Sequence, residues 1–219
     1  MRYVFLILFL IVSLIHIISC WKEDGWRGRT KPLLLLLLIG FYLTATGDLL
    51  WSLLLALITS WLGDVLLMLK GNKWFLIGGT SFFLAHIFFI LTYAAHIQMS
   101  MVSWSVIIPT AIVFVGAAVL VMSQLKDSAP GFMLPLMFLY LLANSMMNVC
   151  ALMRVHSRPG LEAWTAFAGA VLFFLSDCVL FIIRFHKKKD RVPKPDVIVM
   201  TTYILAQLLI VLGSGDITF

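Results

Sequence analysis

Eight apolar runs, at about 3–20, 32–47, 50–69, 74–94, 102–124, 131–153, 163–185 and 196–214, fill most of this 219-residue chain and leave only short polar connections between them. A membrane-spanning helix needs about 20 apolar residues, and runs this long outgrow the alternating strands of a β-barrel. They are therefore read as helices. Hydrophobic residues make up 62% of the chain and charged residues 12%, against about 45–50% and about 25% in a soluble domain. Eight spans use about 160 positions, which leaves no room for an extramembrane domain. The expected fold is all-α, an integral membrane bundle of eight transmembrane helices forming one transmembrane domain over 1–219.

The first run follows Arg2, as a leader peptide would, yet Trp21-Lys22 stands where a cleavage site needs small residues, so it is read as a span. Gly47-Asp48 is the only break between the second and third runs and predicts a tight turn, with Asp48 as a turn or cap residue near the outer face. Lys and Arg are distributed unevenly. Arg2, Arg154 and Arg158 fall on one side, and the other 13 of the 16 fall on the opposite side, mostly in Lys22–Lys31 and Arg184–Lys194. The positive-inside rule then places both termini on the non-cytoplasmic side. A net charge of +6 is read as orientation plus attraction to anionic head groups of the lipid bilayer, with no nucleic acid as partner. Cys20, Cys150 and Cys178 are odd in number, lie in or at the ends of apolar runs, and are read as small packing residues. A bacterial inner (plasma) membrane is favoured over the endoplasmic reticulum for so minimal a chain.

An ionisable group at membrane depth costs about 2.5–3.5 kcal/mol to insert, so each needs a partner, a watery cavity or a task. Asp64 precedes Lys70 by six residues, about 9 Å of helix. Asp177 precedes Arg184 by seven, on a helix running in the same direction, so the two carboxyls have matching depth in the cytoplasmic half. Neither has a basic residue at i±3 or i±4, so neither finds an ion-pair partner on its own helix. His86 falls near the bilayer middle. Tyr140, Asn144 and Asn148 are spaced by fours on the sixth run, and Tyr203 and Gln207 form an i, i+4 pair on the eighth. One polar cavity open to the cytoplasmic leaflet can collect these residues. The plain alternative is interhelical hydrogen bonding for Tyr140, Asn144 and Asn148, and an interfacial position for His16.

The five histidines are dispersed, so a zinc centre is not expected, although Asp64, His86 and Asp177 are considered as one weak site. No GxSxG elbow, Walker loop or dinucleotide fingerprint is present. Ser81 and Ser176 are the serines near the carboxyls, and neither is marked as a nucleophile; Ser176 is kept as a substrate-binding candidate. What remains is a carboxyl pair in a low-dielectric cavity, where one keeps its proton while the other stays ionised. General acid/base hydrolysis requires that division.

Gly63-Asp64, Phe75, Gly78, Phe82 and Ala85-His86 form one distinctive stretch, and Gly169-Ala170 with Leu175-Ser176-Asp177 and Val179-Leu180 a second. Ile198-Val199-Met200-Thr201-Thr202-Tyr203 with Ala206-Gln207-Leu208-Leu209 is the third and most specific. From about residue 60 to 212 the chain resembles the lysoplasmalogenase family, the YhhN-type multi-pass membrane proteins. Phe89 stands where that family often has Tyr. The resemblance implies an eight-helix bundle that hydrolyses the vinyl ether bond of lysoplasmalogens without a required cofactor, giving a fatty aldehyde and glycerophosphoethanolamine or glycerophosphocholine. On this reading Asp64 and Asp177 share the acid and base duties, which is which being left open. His86, Tyr203 and Gln207 position water or the donor, and Tyr140, with Asn144 and Ser176, binds the lysophospholipid substrate. Two other classes compete: a small proton-coupled transporter using the same Asp pair, and a metal-dependent hydrolase of the ceramidase type.

Overall fold

The computed structural model describes residues 1–186 and 193–217, and contains eight α-helices and one short 3-10 turn, with no β-strand among the described residues. The helices are α1 (Arg2–Lys22), α2 (Trp26–Ala45), α3 (Trp51–Leu67), α4 (Asn72–Ala94), α5 (Trp104–Leu125), α6 (Leu134–Ser157), α7 (Leu161–Phe185) and α8 (Pro195–Ser214). Seven of them are long and apolar enough to cross a membrane; α3, with 17 residues, is the shorter apolar helix. Positions 187–192, which hold the Lys187–Lys189 run of the basic connection, lie outside the described residues.

Local chemistry explains the turns. Glu23 closes α1 in the left-handed conformation with its N–H on Ser19 O, and Asp24 accepts from the Ser19 hydroxyl and from Trp26 N, so the chain reverses within three residues. Gly71, at φ 115°, reverses it again between α3 and α4, a conformation open to glycine. Pro135 and Pro195 stand in the first turns of α6 and α8, where the missing N–H is no loss. Between α2 and α3 the turn is tied down by Tyr42, whose hydroxyl accepts from Leu50 N at 2.8 Å, and Asp48 sits in that bend.

The central helix is α6, whose side chains are buried almost all round, whereas α1 and α5 expose rows of Leu, Ile and Val. Helices consecutive in sequence run in opposite directions. Thr46 and Gly47 hydrogen-bond to Gly215 O and Asp216 O, and Phe5 packs against Gly40, so both ends of the chain lie at one end of the bundle. At the other end Arg27 pairs with Asp196 at 2.8 Å and Lys194 with Glu23 at 2.9 Å. Lys22, Lys70, Lys73, Lys126 and Arg184 belong to that end too, which is called the basic end below.

One boundary differs from expectation. The second helix begins at Trp26, not near 32, because Pro32 is accommodated inside it and the basic residues Arg27, Arg29 and Lys31 form its first turns. His16 is buried against α2, with Nδ1 at 2.7 Å from Thr30 Oγ1.

Candidate active site

Each acidic helix is the first member of a tight hairpin. Between α3 and α4 the close approach is made at Gly63, where a Cβ would run into the Phe82 ring, and at Gly78, which faces Gly63 O. Between α7 and α8 it is made at Gly169, where a Cβ would stand 2.8 Å from Ala206 O, and at Gly213, against the backbone of Glu162 and Ala166. Small residues at such crossings let backbones touch. The residues next to these contacts are thereby fixed in rotation and depth, and Asp64 follows Gly63 directly.

Asp64 and Asp177 are 2% and 5% exposed and line a single cavity of about 150 Å³ near the basic end. Its wall also carries Lys31, Ser176, Arg184 and Tyr203. A larger polar cleft, about 630 Å³, opens at the opposite end between Arg154, Arg158 and Glu162, and none of the candidate residues lines it.

The two carboxyls have different neighbours. Asp64 Oδ2 accepts from the Tyr203 hydroxyl at 2.7 Å, and its Oδ1 lies 3.3 Å from Lys31 Nζ. Asp177 Oδ2 accepts from the Tyr140 hydroxyl at 2.8 Å and from Asn144 Nδ2 at 2.7 Å, with His86 Nε2 at 3.5 Å. Asn148 in turn donates to Asn144 Oδ1 at 3.1 Å, and Gln207 donates to the Tyr203 hydroxyl at 3.4 Å. Phe173 stands between the two clusters, its ring edge-on to His86 (5.0 Å) and to Tyr203 (5.4 Å). One carboxyl is thus held by a cation and a phenol. The other is held by a phenol and an amide, with an imidazole at the edge of hydrogen-bond range.

The structure brings together the candidate catalytic and substrate-binding residues, on two levels, while Asp48 lies at the opposite end of the bundle. Asp64, Asp177, Ser176 and Tyr203 face the cavity, while His86, Asn144 and Gln207 are fully buried behind it and Tyr140 forms the wall of a neighbouring groove. The Ser176 hydroxyl donates to Val199 O at 3.1 Å and Ser81 to Thr59 O at 2.7 Å, so both tie helices together. Among the described residues no three His, Cys, Asp or Glu side chains converge closely enough to hold a metal ion, and the weak Asp64, His86, Asp177 grouping is no exception.

Lys31 and Arg184 are the residues the sequence reading missed. Asp64 has no basic neighbour on its own helix, as its sequence spacing indicates, and its cationic partner comes from α2. A usable signal existed. Lys31 lies 14 residues before the end of α2 at Ala45, and Asp64 lies 13 after the start of α3 at Trp51, so a short hairpin puts them at equal depth. Arg184 stands seven residues beyond Asp177, two turns along the same helix face.

The model of the YhhN family matches residues 26–214. The chain belongs to the YhhN family. That family includes lysoplasmalogenases. The YhhN match runs from the first residue of α2 to the last of α8, so it takes in Lys31 and both carboxyls and leaves α1 outside. It is wider than the resemblance visible from about 60 to 212. No curated protein and no solved structure matches the chain significantly.

Proposed function

We propose that this YhhN-family protein is a lysoplasmalogenase, a multi-pass membrane hydrolase that cleaves the vinyl ether bond of lysoplasmalogens by carboxyl acid/base catalysis. The observation that carries the reading is the unequal carboxyl pair on one cavity wall. Asp64, beside the Lys31 ammonium, is the carboxyl suited to stay ionised. Asp177 accepts only from neutral donors at Oδ2, and among the described residues its Oδ1 takes no hydrogen bond, so that oxygen is free to carry a proton toward the cavity.

The chemistry then runs as follows. Asp177 delivers its proton to the β carbon of the vinyl ether, and positive charge appears at the α carbon as an oxocarbenium ion. Asp64 stabilises that charge in a low-dielectric setting where such an interaction is strong. Water attacks the α carbon and loses a proton to the carboxylates, restoring the pair. The hemiacetal collapses to aldehyde and the glycerol hydroxyl. Tyr140 and Asn144 orient Asp177, so their part is positioning rather than gripping the lipid's polar end; Tyr203, steadied by Gln207, does the same for Asp64. Lys31 and Arg184 offer positive charge to the phosphodiester of the head group.

The positive-inside rule supports a cytoplasmic basic end, with both termini outside and the cavity open to the inner leaflet. Purified protein incubated with a lysoplasmalogen, with and without a chelator, should release free aldehyde equally in both. Chelator-sensitive release would favour a metal-dependent hydrolase, and no release, with proton-coupled uptake in vesicles, would favour a carrier.

A further inference from the structure

The polar cavity, at about 150 Å³, is smaller than the about 300–1,000 Å³ that usually encloses a small-molecule ligand. A lysolipid's reacting end fits there only if its chain lies elsewhere. A second hollow of about 230 Å³ adjoins it at the same depth, between α4, α6 and α7. It is apolar, bounded by Leu76, Gly79 and Phe83 from one side and Leu136 and Leu139 from the other. Leu136 and Leu139 are about half exposed, so the hollow is a groove on the lateral face of the bundle. Two residues join it to the carboxyls. Phe75 lines both spaces, and Tyr140 presents its ring to the groove while its hydroxyl reaches Asp177 Oδ2.

Resting on the lysoplasmalogenase reading, we propose that this groove is the site of the substrate's single hydrocarbon chain. The lysolipid leaves the bilayer sideways between α4 and α6, with Phe75 and Tyr140 as the partition past which its vinyl ether meets Asp177. The groove is lined by apolar side chains apart from Thr80, whose hydroxyl is turned onto Leu76 O, and Tyr140, whose hydroxyl reaches the carboxyl side, so it suits a hydrocarbon chain. Its volume takes the part of the chain next to the ether, and the remainder stays among the acyl tails. Gly79 gives the groove its room: a Cβ there would meet no atom within 4 Å, so a large side chain can be introduced without pushing the helices apart.

The test uses the full-length protein in lipid nanodiscs and an alkyl-ether lysophospholipid, which cannot be hydrolysed, carrying a photoreactive diazirine in its chain near the ether. Adducts should concentrate on the α4 and α6 residues facing the groove. Gly79→Trp, and Leu139→Trp from the other wall, should suppress them, while Gly116→Trp on α5, also free of neighbours within 4 Å, leaves them unchanged. In the aldehyde assay both groove variants should lower the preference for long-chain over short-chain vinyl ethers about tenfold, the effect of a few lost methylene contacts. Adducts spread evenly over the lateral faces of α1 and α5, or unaffected by both groove variants, would overturn the proposal. Because the photolabel does not react through hydrolysis, absence of aldehyde release would count against the enzyme and leave the groove to be decided by the adducts.

Discussion

Asp64 and Asp177 are the same chemical group, and what separates them is five neighbouring polar atoms, two at Asp64 and three at Asp177. Lys31 is the most consequential of these, because a buried carboxylate deprived of its cation is left facing a desolvation penalty with only Tyr203 to offset it. Lys31→Met should lower stability by about 3–5 kcal/mol, the range seen when one partner of a buried pair is removed, and Lys31→Arg should recover most of that. Thermal unfolding in detergent measures both; an unchanged midpoint for Lys31→Met would mean that Asp64 does not depend on the pair. Tyr203→Phe removes one hydrogen bond to a charged group, worth about 1.5–3 kcal/mol, and should reduce aldehyde release more than it reduces stability. At this scale the sequence was legible where cost alone marks a residue: an aspartate amid apolar neighbours stands out unaided. Lys31 and Arg184 did not stand out, since cations near span ends look like topological anchors, and only pairing the helices by depth reveals their second role.

Helices α3 and α7 owe their close approach to α4 and α8 to glycine contacts, beside which Ser81 and Ser176 each add one hydrogen bond. Gly213 lies against the backbone of α7, and backbone cannot rotate away as a side chain can. Gly213→Val should therefore cost about 1–3 kcal/mol by overpacking and disturb Arg154, which donates to Gly213 O at 2.8 Å. Gly79→Ala, on a face with nothing near it, should leave the unfolding midpoint close to wild type, so the pair of variants separates close approach from a general effect of replacing glycine in a helix. The number of helices and nearly all their limits could be read from the apolar runs, because insertion into lipid selects on hydropathy over a whole span. The start of α2 could not, since its first turns carry basic side chains that lie at the basic end and Pro32 imitates a helix beginning.

The bundle as a whole joins its first and last hairpins at the basic end through Glu23 with Lys194 and Arg27 with Asp196. The Lys194 ammonium, hydrogen-bonded to Glu23, holds that carboxyl below its usual range. A lowered carboxyl contributes stability above its unfolded value and loses it as pH falls through the folded one, so this tie persists at neutral pH and is released only in acid. Being exposed, it aligns the hairpins more than it stabilises them. Orientation is a whole-molecule property as well: a reporter fused to the C-terminus should be active only when it is one that works outside the cytoplasm, and activity of a cytoplasm-only reporter would reverse the proposed topology. The account stands on proton transfer by two carboxyls in one sheltered cavity, and its most direct test is aldehyde release from a lysoplasmalogen by wild-type protein, Asp64→Asn and Asp177→Asn at equal amounts of folded protein. Both variants are expected to lose about 100-fold or more of the wild-type rate, in keeping with the loss of a general acid or base, and wild-type release by either one would contradict it.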